Sequence, residues 1–194
     1  MIKKDLRKQY LDQRIALSRD EIEAKSQSIS NLFLEQVFSP GFHYIHCFLP
    51  ILKHHEINTW LIINALKGLP SPPEIVVSKS DLKKATMTHF LLQETLDLKE
   101  NKWGILEPDQ GVEIADDKLD LVLVPMLIFD ENGHRVGYGK GFYDRFLQKC
   151  RPDCLKAGLC LEAPVPKIED VNPADIKMDL VISPGQIYRF PLTS

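Results

Sequence analysis

A mostly parallel α/β sheet with helices on both faces is the fold this sequence predicts, on three observations. Segments with helical spacing alternate with short apolar segments, the order that builds a parallel sheet. Leu119 to Val124 is almost continuously apolar, as a strand buried on both faces has to be. The 194 residues, 44% hydrophobic and 26% charged, are ordinary globular composition and enough for a sizeable core, so one domain over residues 1–194 is expected.

Residues 3–17 read as a helix, with Leu6, Tyr10 and Leu17 near one face and Lys3, Lys4, Arg7 and Arg14 elsewhere. Ser18 followed by Glu21 is a capping-box pair, each side chain reaching the other residue's backbone N–H. The helix it opens carries Ile22, Ile29, Leu32, Phe33 and Val37, and Pro40-Gly41 stops it. Tyr44 to Leu49 reads as a strand. A helix capped by Asn58 or Thr59 then runs to Leu66 and ends at Gly68. Pro70, Pro72 and Pro73 mark a loop before a short strand from Glu74 to Val77, and Thr86 to Leu92 reads as another. Beyond the central apolar run, Leu155 to Leu161 and Met178 to Ser183 complete the set of strands. Ligands of such sheets bind outside the carboxyl ends of the strands, which puts the loops after Leu49, Val124 and Leu161 on one rim.

The bulk properties narrow the function. A formal charge of −3 and a pI near 6.1 argue against general nucleic-acid or membrane-surface binding. The N-terminal MIKKDLRKQYLDQR has no apolar signal core, and the longest apolar run, Leu121 to Phe129, is too short to span a bilayer. A cytoplasmic monomer is expected. Cys47, Cys150, Cys154 and Cys160 form no C-x-x-C pair and read as reduced thiols; a zinc site from the last three has poor ligand spacing.

The chemistry concentrates in LVLVPMLIFDENGHRVGYGKGFYDRFL, Leu121 to Leu147. A buried strand ends at Pro125, a loop follows with Gly133, Gly137, Gly139 and Gly141, and a helical pattern opens at Phe142. Glycines let a backbone approach a ligand closely, and N–H groups at a helix start face an anion. Lys140 supplies a point charge for a phosphate, and Asp144 sits in the first turn beside it. Neither familiar phosphate motif fits. Five residues rather than four separate Gly133 from Gly139-Lys140, and Gly141 stands where a Ser or Thr would hold magnesium. Gly137, Gly139 and Gly141 run as G-x-G-x-G, not as the dinucleotide fingerprint. A metal ion beside the phosphates would need a carboxylate, and Asp144 is the nearest.

FDENGHRVGYGKGFYDRFL resembles the signature of the 5-formyltetrahydrofolate cyclo-ligase family, also called methenyltetrahydrofolate synthetases. Lys3-x-x-x-Arg7, FLPILKHHEINT with Glu56, WGILEP and PADIKMDLVISPG match that family in kind and order, so the resemblance covers nearly the whole chain. It implies a Rossmann-like three-layer sandwich similar to the sugar-phosphate isomerase and CoA-transferase group. It also implies ATP- and magnesium-dependent closure of 5-formyltetrahydrofolate to 5,10-methenyltetrahydrofolate, releasing ADP and phosphate. Position by position, it assigns ATP contacts to Lys3, Arg7 and the loop Arg135, Val136, Gly137, Tyr138, Gly139, Lys140, Gly141, Phe142 and Tyr143. Asp144 and Asp175 become magnesium ligands, and Arg135 and Lys140 the groups that neutralise the transferring phosphoryl. On the folate side, Glu56 would hold the amino-pyrimidine edge of the pterin, with Leu49, Tyr138, Phe142 and Trp103 lining its pocket. Tyr138 stands where some relatives carry Arg, and the loop Pro50 to His55 is longer than in some. His54 and His55 are expected to be exposed loop residues.

Two rival readings make different demands. A sugar-phosphate isomerase needs an acid–base carboxylate pair and no ATP. A non-catalytic nucleotide- or RNA-binding module predicts an eroded glycine loop or an added basic segment, and this sequence has neither.

Overall fold

The computed structural model describes residues 1–101 and 104–191, so Trp103 lies outside the described residues. The elements are α1 (Lys3–Ala16), α2 (Arg19–Gln36), β1 (Tyr44–His46), α3 (Trp60–Lys67), β2 (Glu74–Asp81), β3 (Thr86–Leu91), β4 (Leu98–Glu100), β5 (Leu106–Pro108), β6 (Leu121–Pro125), β7 (Ile128–Phe129), β8 (Arg135–Val136), α4 (Phe142–Leu147), β9 (Leu155–Leu159), β10 (Leu180–Ser183) and β11 (Gln186–Arg189).

A seven-stranded sheet runs β11-β10-β9-β6-β1-β2-β3. Its interior pairs are parallel, with β6 at the centre in register Ile45↔Leu121 and Leu123↔Ala157. Antiparallel partners β11 and β3 close the two edges. Alternate residues of β6 serve opposite faces. Leu121 and Leu123 pack with Phe33 of α2 and Ile63 and Leu66 of α3, whereas Val122 and Val124 pack with Leu6 of α1 and Phe146 of α4. The layers are therefore α2 and α3, the sheet, then α1 and α4, and each face of the central strand is dry. Among the described residues no helix is long and apolar enough to cross a membrane.

The capping box forms as expected: the Glu21 N–H donates to Ser18 Oγ at 3.2 Å and the Ser18 N–H to Glu21 Oε2 at 2.8 Å. Several expectations need correction. The strand from Tyr44 stops at His46: Cys47 N–H still donates to the Val76 carbonyl at 2.8 Å, but beyond it the Phe48 carbonyl accepts from Thr59 Oγ1 at 2.6 Å instead of from a neighbouring strand. That bond also removes Thr59 from the capping role, and the Asn58 side chain reaches Glu23 rather than α3. The strand from Glu74 extends to Asp81 and turns back into β3. The strands expected at Leu155 to Leu161 and Met178 to Ser183 are shorter, Leu155–Leu159 and Leu180–Ser183.

One polar cluster lies inside the sheet. His46 Nε2 is 2.7 Å from Ser78 Oγ, which is 2.9 Å from His89 Nδ1. Phe146 packs on both imidazoles, its ring centroid 4.1 Å from His89 and 5.1 Å from His46. Burial pushes the His89 pKa down to about 4 and that of His46 well below its ordinary value, so both rings are neutral. His89 Nε2 lies 3.0 Å from Asp116 Oδ1 without forming a hydrogen bond to it.

Candidate active site

The loop after β6 builds the site on a small hairpin. Leu127 N–H donates to the Val136 carbonyl at 2.8 Å, and Ile128 pairs with Val136. Buried Asp130 organises the turn between them: its Oδ1 accepts from the N–H groups of Asn132 and His134, each at 3.0 Å, and its Oδ2 from Ile168 N–H at 3.1 Å. The chain then enters the glycine run, where Gly139 at φ +83° and Gly141 at φ +67° occupy left-handed backbone that other residues resist. Gly139 also needs its lack of a side chain for space, since a Cβ there would lie 3.0 Å from the Arg7 guanidinium.

The cleft beside this loop has a volume of about 1080 Å³. It brings together Lys3, Arg7, Leu49, Glu56, all the loop positions from Arg135 to Tyr143, Asp144 and Asp175, which is every candidate except Trp103. Phe48, Ile51, Leu82 and Met87 join them. The rim is reached from the carboxyl ends of β1 and β6, as the fold class predicts. The third contribution comes from Asn172, Ala174 and Asp175, not from the residues just after Leu161.

One side of the cleft is charged and closely paired. Arg7 Nε donates to the Gly137 carbonyl at 2.9 Å, tying α1 to the loop. Arg135 Nη2 donates to Asp144 Oδ1 at 2.7 Å, and its Nη1 to the Ile176 carbonyl. The same Asp144 oxygen accepts from Ile176 N–H at 3.2 Å. Asp175 repeats the pattern, its Oδ2 accepting from Lys3 Nζ and from Asn172 N–H at 2.6 Å. Lys140 is exposed at the mouth, and its carbonyl accepts from Arg145 Nη2 at 2.6 Å. The helix α4 is only six residues long, so cationic side chains more than a helix end set the potential here.

The other side is largely apolar around buried Glu56, with buried Glu107 also in the lining. Glu56 is buried, with Oε2 accepting from Ile51 N–H at 2.7 Å and Oε1 from the Tyr138 hydroxyl at 2.6 Å. Burial raises its pKa, opposed by the Arg14 guanidinium and by these two hydrogen bonds. Tyr138 and Tyr143 are both held protonated, first by burial and then by the negative Glu56.

Four side chains escaped the sequence reading. Arg14, read as lying away from the apolar face of α1, is 7% exposed and donates through Nη2 to the Tyr138 hydroxyl. His54, expected to be exposed, is half-buried against the Tyr138 ring at 5.2 Å between centroids, and His55 is half-buried too. Arg145 lines the cleft and donates through Nε to the Ala85 carbonyl at 2.7 Å, joining α4 to the β2–β3 turn. The signal for Arg14 was in the spacing: Lys3, Arg7 and Arg14 recur at helical intervals, so one stripe of α1 faces inward with its charges.

Comparison with known proteins agrees over the whole fold. The family model described as the 5-formyltetrahydrofolate cyclo-ligase family matches residues 1–184. The 5-formyltetrahydrofolate cyclo-ligase of Saccharomyces cerevisiae is 29% identical over 199 residues, covering 90% of this chain and 92% of that one. A probable 5-formyltetrahydrofolate cyclo-ligase of Schizosaccharomyces pombe is 33% identical over 113 residues, spanning 51% of this chain and 55% of its own length. The solved structure of Aquifex aeolicus 5,10-methenyltetrahydrofolate synthetase superposes with a TM-score of 0.73 at 27% identity, covering 100% of this chain and 95% of that one. With the signature loop, the three-layer sheet and a match over residues 1–184, the chain belongs to the 5-formyltetrahydrofolate cyclo-ligase family.

Proposed function

We propose that this cleft closes 5-formyltetrahydrofolate to 5,10-methenyltetrahydrofolate, using ATP on its charged side and the folate on its apolar side. The observation that carries this reading is the cleft itself, whose volume of about 1080 Å³ joins a cationic, carboxylate-bearing half to a largely apolar half around buried Glu56. Ring closure needs activation because a formyl amide oxygen is a poor leaving group. Transfer of the γ-phosphoryl to that oxygen gives an imidate-like phosphate; N10 then attacks the carbon, its proton is lost, and phosphate departs. Such transfer depends mostly on positioning and charge neutralisation.

Lys3, Arg7 and Lys140 would meet the phosphates of ATP, with the Gly137–Gly141 backbone beside them. Arg135 commits both Nη groups to the protein and so acts by fixing Asp144. Glu56 offers two oxygens to the paired N–H donors of the pterin edge, between the rings of Tyr138 and Phe142 and the Leu49 side chain. The donors fit a magnesium ion. Among the described residues no hydrogen bond reaches Asp144 Oδ2 or Asp175 Oδ1, so each carboxylate keeps one oxygen open on the cleft. No group of three or more metal-binding side chains occurs among those residues, which suits an ion held by one or two carboxylates and completed by phosphate oxygens. When bound, it would neutralise charge on the transferring phosphoryl.

The test is absorbance of the conjugated methenyl product with purified protein. Growth that requires the 5-formyl substrate, ATP and magnesium together is the expected result. ATP binding without product would overturn the reading in favour of a nucleotide-binding module.

A further inference from the structure

Arg14 has no part in the reaction outlined above, yet it is a charge carried deep into the protein. It is 7% exposed, and its Nε has no hydrogen-bond partner among the described residues. An isolated cation so buried is unfavourable unless a negative group compensates it. The compensation lies across one hydroxyl. Arg14 Nη2 donates to Tyr138 Oη, its guanidinium stands 5.6 Å from the centroid of that ring, and the same hydroxyl donates to Glu56 Oε1 at 2.6 Å. The three residues come from α1, the loop before α3 and the glycine run, and the chain Arg14, Tyr138, Glu56 ends at the cleft wall.

We propose that Arg14 is a positioning residue for the 5-formyl substrate, acting through Tyr138 to hold Glu56 as a carboxylate aimed into the cleft. The proposal rests on the reading that Glu56 receives the pterin edge. Only the ionised form offers both oxygens as acceptors; a protonated Glu56 would set an O–H against one of the ligand's N–H groups. Burial drives Glu56 toward that protonated form, and the largest opposing influence is Arg14. Among the described residues, the other groups facing Glu56 are the Ile51 N–H, the Tyr138 hydroxyl and Tyr143 of α4. Lys53 and His54 stand in the adjoining turn, where burial and the charge of Arg14 keep His54 neutral. Each oxygen of an ionised carboxylate can accept a second hydrogen bond, so an incoming N–H can join the Tyr138 hydroxyl on Glu56 Oε1.

The experiment measures kcat and both KM values across about pH 5.5 to 8.5, the range over which such groups report their titration. Arg14→Met is expected to raise the KM for the 5-formyl substrate about tenfold or more near neutrality, to leave the ATP KM unchanged, and to move the acid rise in folate KM to higher pH. Arg14→Lys keeps the charge and should return that limb toward its original position. Equal rises in both KM values, or a limb that does not move, would mean that Arg14 only supports packing and would overturn the proposal. If Arg14→Met does not fold, Tyr138→Phe breaks the same link; the limb should move in the same direction, and an unmoved limb overturns the proposal. Glu56→Gln separates the two levels. An unchanged folate KM in that variant overturns the reading of Glu56 and the proposal with it, whereas a raised folate KM beside an unmoved limb in Arg14→Met overturns the proposal alone.

Discussion

The charged half of the cleft and the histidine cluster inside the sheet solve one problem in opposite ways. Around the cleft, carboxylates stand beside cations: Asp144 pairs with Arg135, Asp175 with Lys3, and Glu56 is linked to Arg14 across a hydroxyl. Inside the sheet, His46 and His89 keep no charge, and a single serine oxygen bridges them. At Asp144 and Asp175 partial exposure lets water screen the pair, buried Glu56 and Arg14 lean on each other across the hydroxyl, and the buried imidazoles take the neutral form. Fixed charge therefore collects where phosphates can be met, and the sheet beneath stays electrically quiet.

Breaking the first arrangement should give the largest effect. Asp144→Asn removes the charge beside Arg135 and is expected to lower turnover by about 100-fold or more, with a lower thermal unfolding midpoint because the buried Arg135 side chain loses its charge partner. Activity within a few-fold of the parent would take Asp144 out of the machinery. The second arrangement should show itself in acid. His89 binds its proton less readily folded than unfolded, so its contribution is complete above the unfolded pKa of 6.5 and disappears as pH falls toward about 4. Urea titrations at neutral and acid pH should find a loss of about 3 kcal/mol at most from this group. His89→Leu should flatten that part of the profile, and an unchanged slope would show that another group carries it. Ser78→Ala, which leaves both imidazoles without their shared oxygen, should cost about 1–3 kcal/mol at neutral pH. A stability change below the error of denaturant melts would mean that the cluster relaxes around the gap. Smallest of all, Ser18→Ala removes the α2 cap at about 1 kcal/mol and should leave both substrate KM values untouched.

What could be read from the residues followed a physical rule. Leu121 to Val124 announced a central strand because burial on both faces removes every polar residue from it, and Ser18 with Glu21 announced a helix start because the cap is local. The glycine run and Asp144 lie within one contiguous segment, so their neighbourhood was visible too. Arg14 was not, since its partner Tyr138 is 124 positions away and a basic residue on a helix ordinarily faces water. The same distance in sequence hid the link between Tyr138 and Glu56, 82 positions apart. Short strands such as β4, β5, β7 and β8 have two or three residues each, too few for any period to declare itself. The edge strand β11 alternates in burial only weakly and reads as loop.

The three glycines of the run are not equivalent. A Cβ at Gly137 would meet nothing within 4 Å, whereas one at Gly139 would press on Arg7 from a backbone angle that alanine disfavours. A library randomised over this motif and selected for growth on the enzyme should therefore accept small side chains at 137 and return glycine at 139. The pattern G-x-G-x-G thus carries unequal information, and a search profile that weighted its second glycine above its first would separate true members from chance matches more sharply.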